Sequence, residues 1–254
     1  MQGKRVLIKD IMHYLFPPEG KPASIAPSLD AQKPTPYPYP TRPEPGNPTV
    51  IPAHLLSRFH FVFLIRDPHH SVPSYYRCTI PPLDQVTGFH NYDPREAGYD
   101  ELRRGFDFLC KAHLVDPRVA NNASSSDSTN GQQDSGIDIC VVDADDMLDA
   151  PIEVIQKFCG SVGLPYTEDM LHWDNPEDQT HARHVFEKWR GFHNDAIDST
   201  GLVGRKERHH MKPEAQYDAE WRSKYGDEAA ALIRKAVDAN MDDYLYLKNF
   251  AMRV

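Results

Sequence analysis

At 254 residues, 40% hydrophobic and 26% charged, the chain is long enough for one sizeable core and too short for two large independent ones. Its formal charge of -9 argues against a general nucleic-acid binder, which needs a basic surface for the phosphate backbone. It contains no run of 18 apolar residues that would cross a membrane. Lys9 and Asp10 interrupt the first apolar run too early for a signal peptide, and the four separated cysteines read as reduced, buried thiols. The expected setting is cytoplasmic, with a small molecule as substrate and neither nucleic acid nor membrane as partner. Charge is distributed unevenly: residues 1–80 carry nine Lys and Arg against five Asp and Glu, so a small polyanion is expected in the first third.

In chain order, RVLIK (residues 5–9) reads as a buried strand, and Asp10 as the N-cap of one or two helical turns over IMHYLF. Residues 17–52 form a proline-rich excursion holding twelve of the 22 prolines, a surface wrap anchored by Tyr37 and Tyr39 or a lid. HFVFLI (60–65) is continuously apolar after His60, as expected of a strand covered on both faces. It runs into Arg66-Asp67-Pro68 and a helix starting near Ser71, with Pro73 in its first turn. Residues 101–114 have helical spacing, and the polar low-complexity stretch 120–136 reads as a disordered insertion. IDICVV (137–142) is another buried strand, followed by a helix capped by Asp149 with Ile152, Ile155, Phe158 and Cys159 on one face. Helices are expected over residues 180–189 and 226–245, the latter with Ala230, Ile233, Val237, Met241 and Tyr244 towards the core. Strands alternating with helices predict a single α/β domain over 1–254, a mostly parallel sheet with helices on both faces.

Two clusters carry chemistry. Arg66 leaves a strand at the sheet edge where ligands gather, and Ser74 lies early in the next helix. A guanidinium fork, a hydroxyl and the unpaired N–H groups of a helix start describe a phosphate clamp. Read blandly, Arg66 pairs with Asp67 or another acid and Ser74 is a surface residue. In the second cluster, Asp10 and His13 are three apart and can act as orienter and general base, with Lys9 stabilising negative charge. The alternative there is an N-cap and a packing histidine. The adjacent His69 and His70 read as solvated. Arg205 and Lys206 either reach over a phosphate or belong to a solvated loop. His181 and His184 lack the partners of a zinc set, so no metal is expected.

FVFLIRDPHHSVPSYY resembles the segment of sulfotransferases in which a strand, an Arg, an Asn/Asp-Pro turn and a helix bearing a Ser bind the 3'-phosphate of the sulfonate donor PAPS. VVDADDMLDAPIEVIQKFCGSVGLPYTEDMLHW resembles that family's later strand, acidic turn, helix and Gly-Leu-Pro region. The resemblance implies a P-loop NTPase-like fold and in-line transfer of a sulfonyl group from PAPS to a hydroxyl of a small metabolite, as in secondary metabolism. It assigns Arg66 and Ser74 to the 3'-phosphate, and Arg205 and Lys206, more loosely, to the phosphate loop near the C-terminus. His13 or Asp10 inherits the base role. The family's Ser/Thr-rich loop for the 5'-phosphosulfate, with its lysine, has no counterpart, so the chain reads as abbreviated at its N-terminus. That departure keeps two other readings open: a cofactor-independent lyase, cyclase or isomerase, and a non-catalytic or truncated member.

Overall fold

The computed structural model describes residues 5–29, 42–116, 118–120 and 137–253. Most of the 120–136 insertion, and Tyr37 and Tyr39 of the proline-rich excursion, lie outside the described residues. The chain runs through α1 (Ala53–Leu56), β1 (Phe63–Ile65), α2 (Pro68–Cys78), α3 (Asp84–Thr87), α4 (Tyr99–Lys111), β2 (Val141–Asp143), α5 (Ala144–Asp149), α6 (Pro151–Val162), α7 (Pro176–Val185), α8 (Asn194–Ile197), α9 (Glu214–Tyr225) and α10 (Asp227–Lys248). It divides into two compact units. The first takes in Met1–His60, Gly98–Asp116 and Gln133–Ile137, and the second takes in Phe61–Ala97, Pro117–Gln132 and Asp138–Val254.

In the first unit the expected N-terminal strand does not form. Val6, Leu7 and Ile8 are exposed and unpaired with any sheet, because three apolar residues with Arg5 and Lys9 on either side find no described strand to join. A short 3-10 helix, Met12–Leu15, replaces the predicted turns, and its N-cap is Ile11 rather than Asp10. It rests on α4, whose amphipathic pattern buries Phe106 and Leu109. Gly105, a weak helix residue by propensity, is what lets the two approach: a Cβ there would stand 2.8 Å from Met12 Sδ. The described proline-rich flanks carry two short 3-10 helices, Pro18–Gly20 and Pro27–Leu29, and are tied by Ile25 N–H to Arg42 O and Val50 N–H to Leu15 O, 2.8 and 2.9 Å.

The second unit holds the sheet. β1 and β2 pair in parallel, Phe63 with Val141, Leu64 with Val142 and Ile65 with Asp143, as the alternation of strands and helices predicted. Only three residues of HFVFLI are strand, and Leu64 is 54% exposed, so β1 is covered on one face there instead of two. β2 is buried throughout. Helix α2 starts three residues earlier than expected because Asp67 caps it and Pro68 fills N1, which leaves Pro73 inside the helix. The turn after β2 holds a short helix, α5, capped by Asp143. Asp149 is its last residue, not the cap of the next helix. In α6 the buried residues are Pro151, Val154 and Cys159, while Ile152 is exposed.

The predicted face of α10 is borne out, with Ala230, Ile233, Val237 and Tyr244 buried. It packs on α9 and α2, and Val72, Tyr217, Trp221, Ile233 and Val237 form one continuous apolar cluster. No helix among the described residues is long and apolar enough to cross a membrane. All four cysteines are free. Cys78, Cys140 and Cys159 are buried and Cys110 is half-buried, its thiol pushed up to about 11 by burial.

Candidate functional site

Both strand tips of the second unit end in an aspartate that folds back to cap the helix that follows. At the tip of β1, Asp67 Oδ1 accepts the His69 N–H at 2.8 Å, while its carbonyl accepts those of His70 and Ser71 at 2.9 and 3.0 Å. Pro68 has no N–H to offer. The helix start therefore has its backbone donors engaged, contrary to the expectation of unpaired N–H groups there, and any anion at this edge must be gripped by side chains. Arg66, at the strand end, and Ser74, two turns into α2, are both half-buried. His70 and Ser74 are four apart and share one face of α2.

His69 is buried, not solvated. Its Nδ1 donates to Asp67 Oδ1 at 2.7 Å and its Nε2 to Glu214 Oε2 at 3.1 Å, with the ring stacked 4.3 Å from Tyr217. Both ring nitrogens face carboxylates, so the doubly protonated imidazolium satisfies the site. Burial alone pushes His69 down, but the bonds to Asp67 and Glu214 outweigh it and hold the group above the ordinary histidine value. Burial likewise pushes the Asp67 carboxyl up, and the bonds from His69 reverse that and hold it low.

The pH dependence follows from these signs. The contribution of His69 is complete below about 6.5, its unfolded value, and is lost as pH rises through the higher folded value. Those of Asp67 and Glu214, both lowered, are present above about 4.5 and fade as pH falls through the folded values. Chemical unfolding in EDTA is expected to show stability falling above pH 6.5 more steeply in the wild type than in His69→Gln. Equal slopes would contradict the charged-histidine assignment.

At the tip of β2, Asp143 is fully buried. Its Oδ1 accepts the Asp145 N–H at 2.8 Å, and its Oδ2 accepts from Tyr244 Oη and Lys248 Nζ, each at 2.8 Å. Arg205 faces the next acids: Nη2 lies 2.9 Å from Asp145 Oδ1, and Nη1 lies 3.3 Å from Asp149 Oδ1. Burial pushes the Asp145 carboxyl up, but bonds from His70 and Arg205 hold it far below the ordinary carboxylate range. A guanidinium clamped by two carboxylates fixes the loop to α5, which is a different task from the phosphate contact expected of it. Lys206 is exposed on the same loop.

In the first unit, Lys9 and Asp10 are exposed, and Asp10 Oδ1 accepts the N–H of Ile11 at 2.8 Å. The carboxylate beside His13 is Glu101 of α4, with Oε1 3.1 Å from Nδ1. Separated by 88 residues, that partner leaves no local mark in the sequence, although its position on the α4 face next to Gly105 follows once the 3-10 helix is docked. The predicted Asp10–His13 pairing is thus replaced by His13–Glu101.

No protein-family model matches the chain, and no solved structure matches it. Among curated proteins, a sulfotransferase of Metarhizium majus (strain ARSEF 297), ppzF, is 26% identical over 208 residues. The chain is similar to this sulfotransferase. The match covers 82% of the chain and 57% of that sulfotransferase, so the chain spans under two thirds of its relative's length.

Proposed function

We propose that the chain is a sulfotransferase-like transferase that takes a sulfonyl group from PAPS to a hydroxyl of a small metabolite, in a cytoplasmic setting and as part of secondary metabolism. The observation that carries this reading is the 208-residue similarity to a protein named a sulfotransferase, together with Arg66 at the tip of β1 and Ser74 on α2. Bound PAPS supplies the activated sulfonyl group. Arg66 holds the 3'-phosphate through its planar donor fork and Ser74 adds a hydroxyl donor.

Within the first unit, His13 is the residue with the chemistry of a general base. With Glu101 accepting from Nδ1, its Nε2 keeps a lone pair for the proton of the acceptor hydroxyl, and the carboxylate fixes that tautomer. Lys9, Asp10 and Lys206 are exposed and carry no defined step in this scheme. Labelled PAPS offered with a panel of phenols and alcohols should pass its sulfonyl group to at least one of them, and Arg66→Ala should abolish the transfer. Transfer to none, by a chain that also fails to bind the desulfonated product PAP, would contradict the proposal. A donor-independent lyase, cyclase or isomerase draws on the same His13–Glu101 pair, and turnover that persists without PAPS and is lost in His13→Ala would favour that reading.

A further inference from the structure

Three side chains that lie far apart in the sequence meet beside α5. His70 of α2 places Nδ1 3.2 Å from Asp145 Oδ2, and the His209 ring stands edge-on to the His70 ring at 4.6 Å. One ligand atom from each of His70, Asp145 and His209 lies within 4.8 Å of the others. The His209 Nε2 atom is buried and has no hydrogen-bond partner, an arrangement that costs free energy unless something else fills its lone pair or takes its proton.

The loop carrying His209 is pinned for this. Arg205 N–H donates to Leu148 O at 2.9 Å and His209 N–H donates to Asp149 Oδ2 at 2.9 Å, so the last turn of α5 holds both ends of the 205–209 segment. Arg205 also bonds the Asp145 oxygen that His70 does not face, orienting the carboxylate as an outer-shell partner does in metal sites. With neutral imidazoles, Asp145, Asp149 and Arg205 leave the cluster one net negative charge, which suits a cation and repels a second anion.

We infer that His70, Asp145 and His209 form a binding site for a divalent transition metal of the zinc class, with a fourth position open to water or a ligand oxygen. Two imidazole nitrogens and one carboxylate oxygen are the donor set such an ion takes. Ligands on one tetrahedral zinc, with bonds of about 2.0–2.1 Å, stand roughly 3.4 Å apart, so the His70–Asp145 separation already matches and the His209 ring needs only a small swing. The ionised Asp145 faces His70 Nδ1, which must therefore carry a proton in the metal-free protein. Ligation through that nitrogen moves the proton of the neutral ring to Nε2, a change of tautomer with no net release.

The test is calorimetric titration of the EDTA-dialysed full chain with zinc chloride. The expected result is one saturable equivalent and a higher melting temperature with zinc. His209→Ala and His70→Ala should each weaken binding at least tenfold while melting in EDTA close to the wild type, and a His181→Ala, His184→Ala double variant should bind unchanged. Cobalt chloride in place of zinc should give visible absorption of tetrahedral intensity, lost in His209→Ala. No saturable zinc binding, or binding that survives both single variants, would overturn the inference.

Discussion

Asp143→Ala is expected to destabilise the chain by about 3 kcal/mol, at the lower end of the range for removing one partner of a buried ion pair. The carboxylate satisfies three groups at once: the Asp145 N–H at the start of α5, the Tyr244 hydroxyl and the Lys248 ammonium. Its loss uncaps a helix and strips a buried phenol of its acceptor, each costing about 1 kcal/mol. Lys248 is not wholly orphaned, because Nζ also lies 2.7 Å from Asp146 Oδ2, and this is what keeps the figure from the upper end. Asp143→Asn retains acceptor capacity for the cap and should cost less. Denaturant midpoints measure both, and a midpoint for Asp143→Ala within error of the wild type would show that the strand tip does not depend on this residue.

Trp221→Ala should be the most damaging single change in the core, costing about 3–5 kcal/mol as large aromatic truncations do. The indole is buried among Val72, Tyr217, Ile233 and Val237, stacks on Tyr217 at 5.8 Å, and has the Arg234 guanidinium 4.8 Å above it. Arg234 in turn bonds Glu214 and Asp218, so the deletion also loosens the acid that faces His69. Against a total of about 5–15 kcal/mol for a domain, such a loss is a large share of the stability. An unchanged denaturant slope with a strongly lowered midpoint is expected, and a cost below about 1 kcal/mol would refute the packing account.

How much of this was legible beforehand depends on whether the information was local. The order strand, Arg66-Asp67-Pro68 turn, helix could be read because an apolar run stops at an Asp-Pro pair, but the capping role of Asp67 and the N1 place of Pro68, which start α2 three residues earlier, were not read. α10 could be read because its apolar residues recur over six turns. α9 escaped notice because only Tyr217 and Trp221, four apart, mark its buried face amid charged residues. RVLIK misled for the opposite reason: apolar composition alone does not make a strand without a neighbour to pair with. At the tip of β1, sequence did not reveal that Asp67 would engage the backbone donors of the helix start. Glu101, Asp145 and His209 have meaning only through partners about 60 to 90 residues away, and no periodicity or spacing rule reaches that far.

The proposed phosphate clamp can be tested directly by titrating the wild type, Arg66→Ala and Ser74→Ala with PAP and, in parallel, with AMP, which lacks the 3'-phosphate. A clamp formed by these two side chains predicts a clear preference of the wild type for PAP, a loss of at least about thirtyfold in PAP affinity for Arg66→Ala, and roughly tenfold for Ser74→Ala, with AMP hardly affected. Equal affinity for the two nucleotides, or a preference that survives Arg66→Ala, would contradict it.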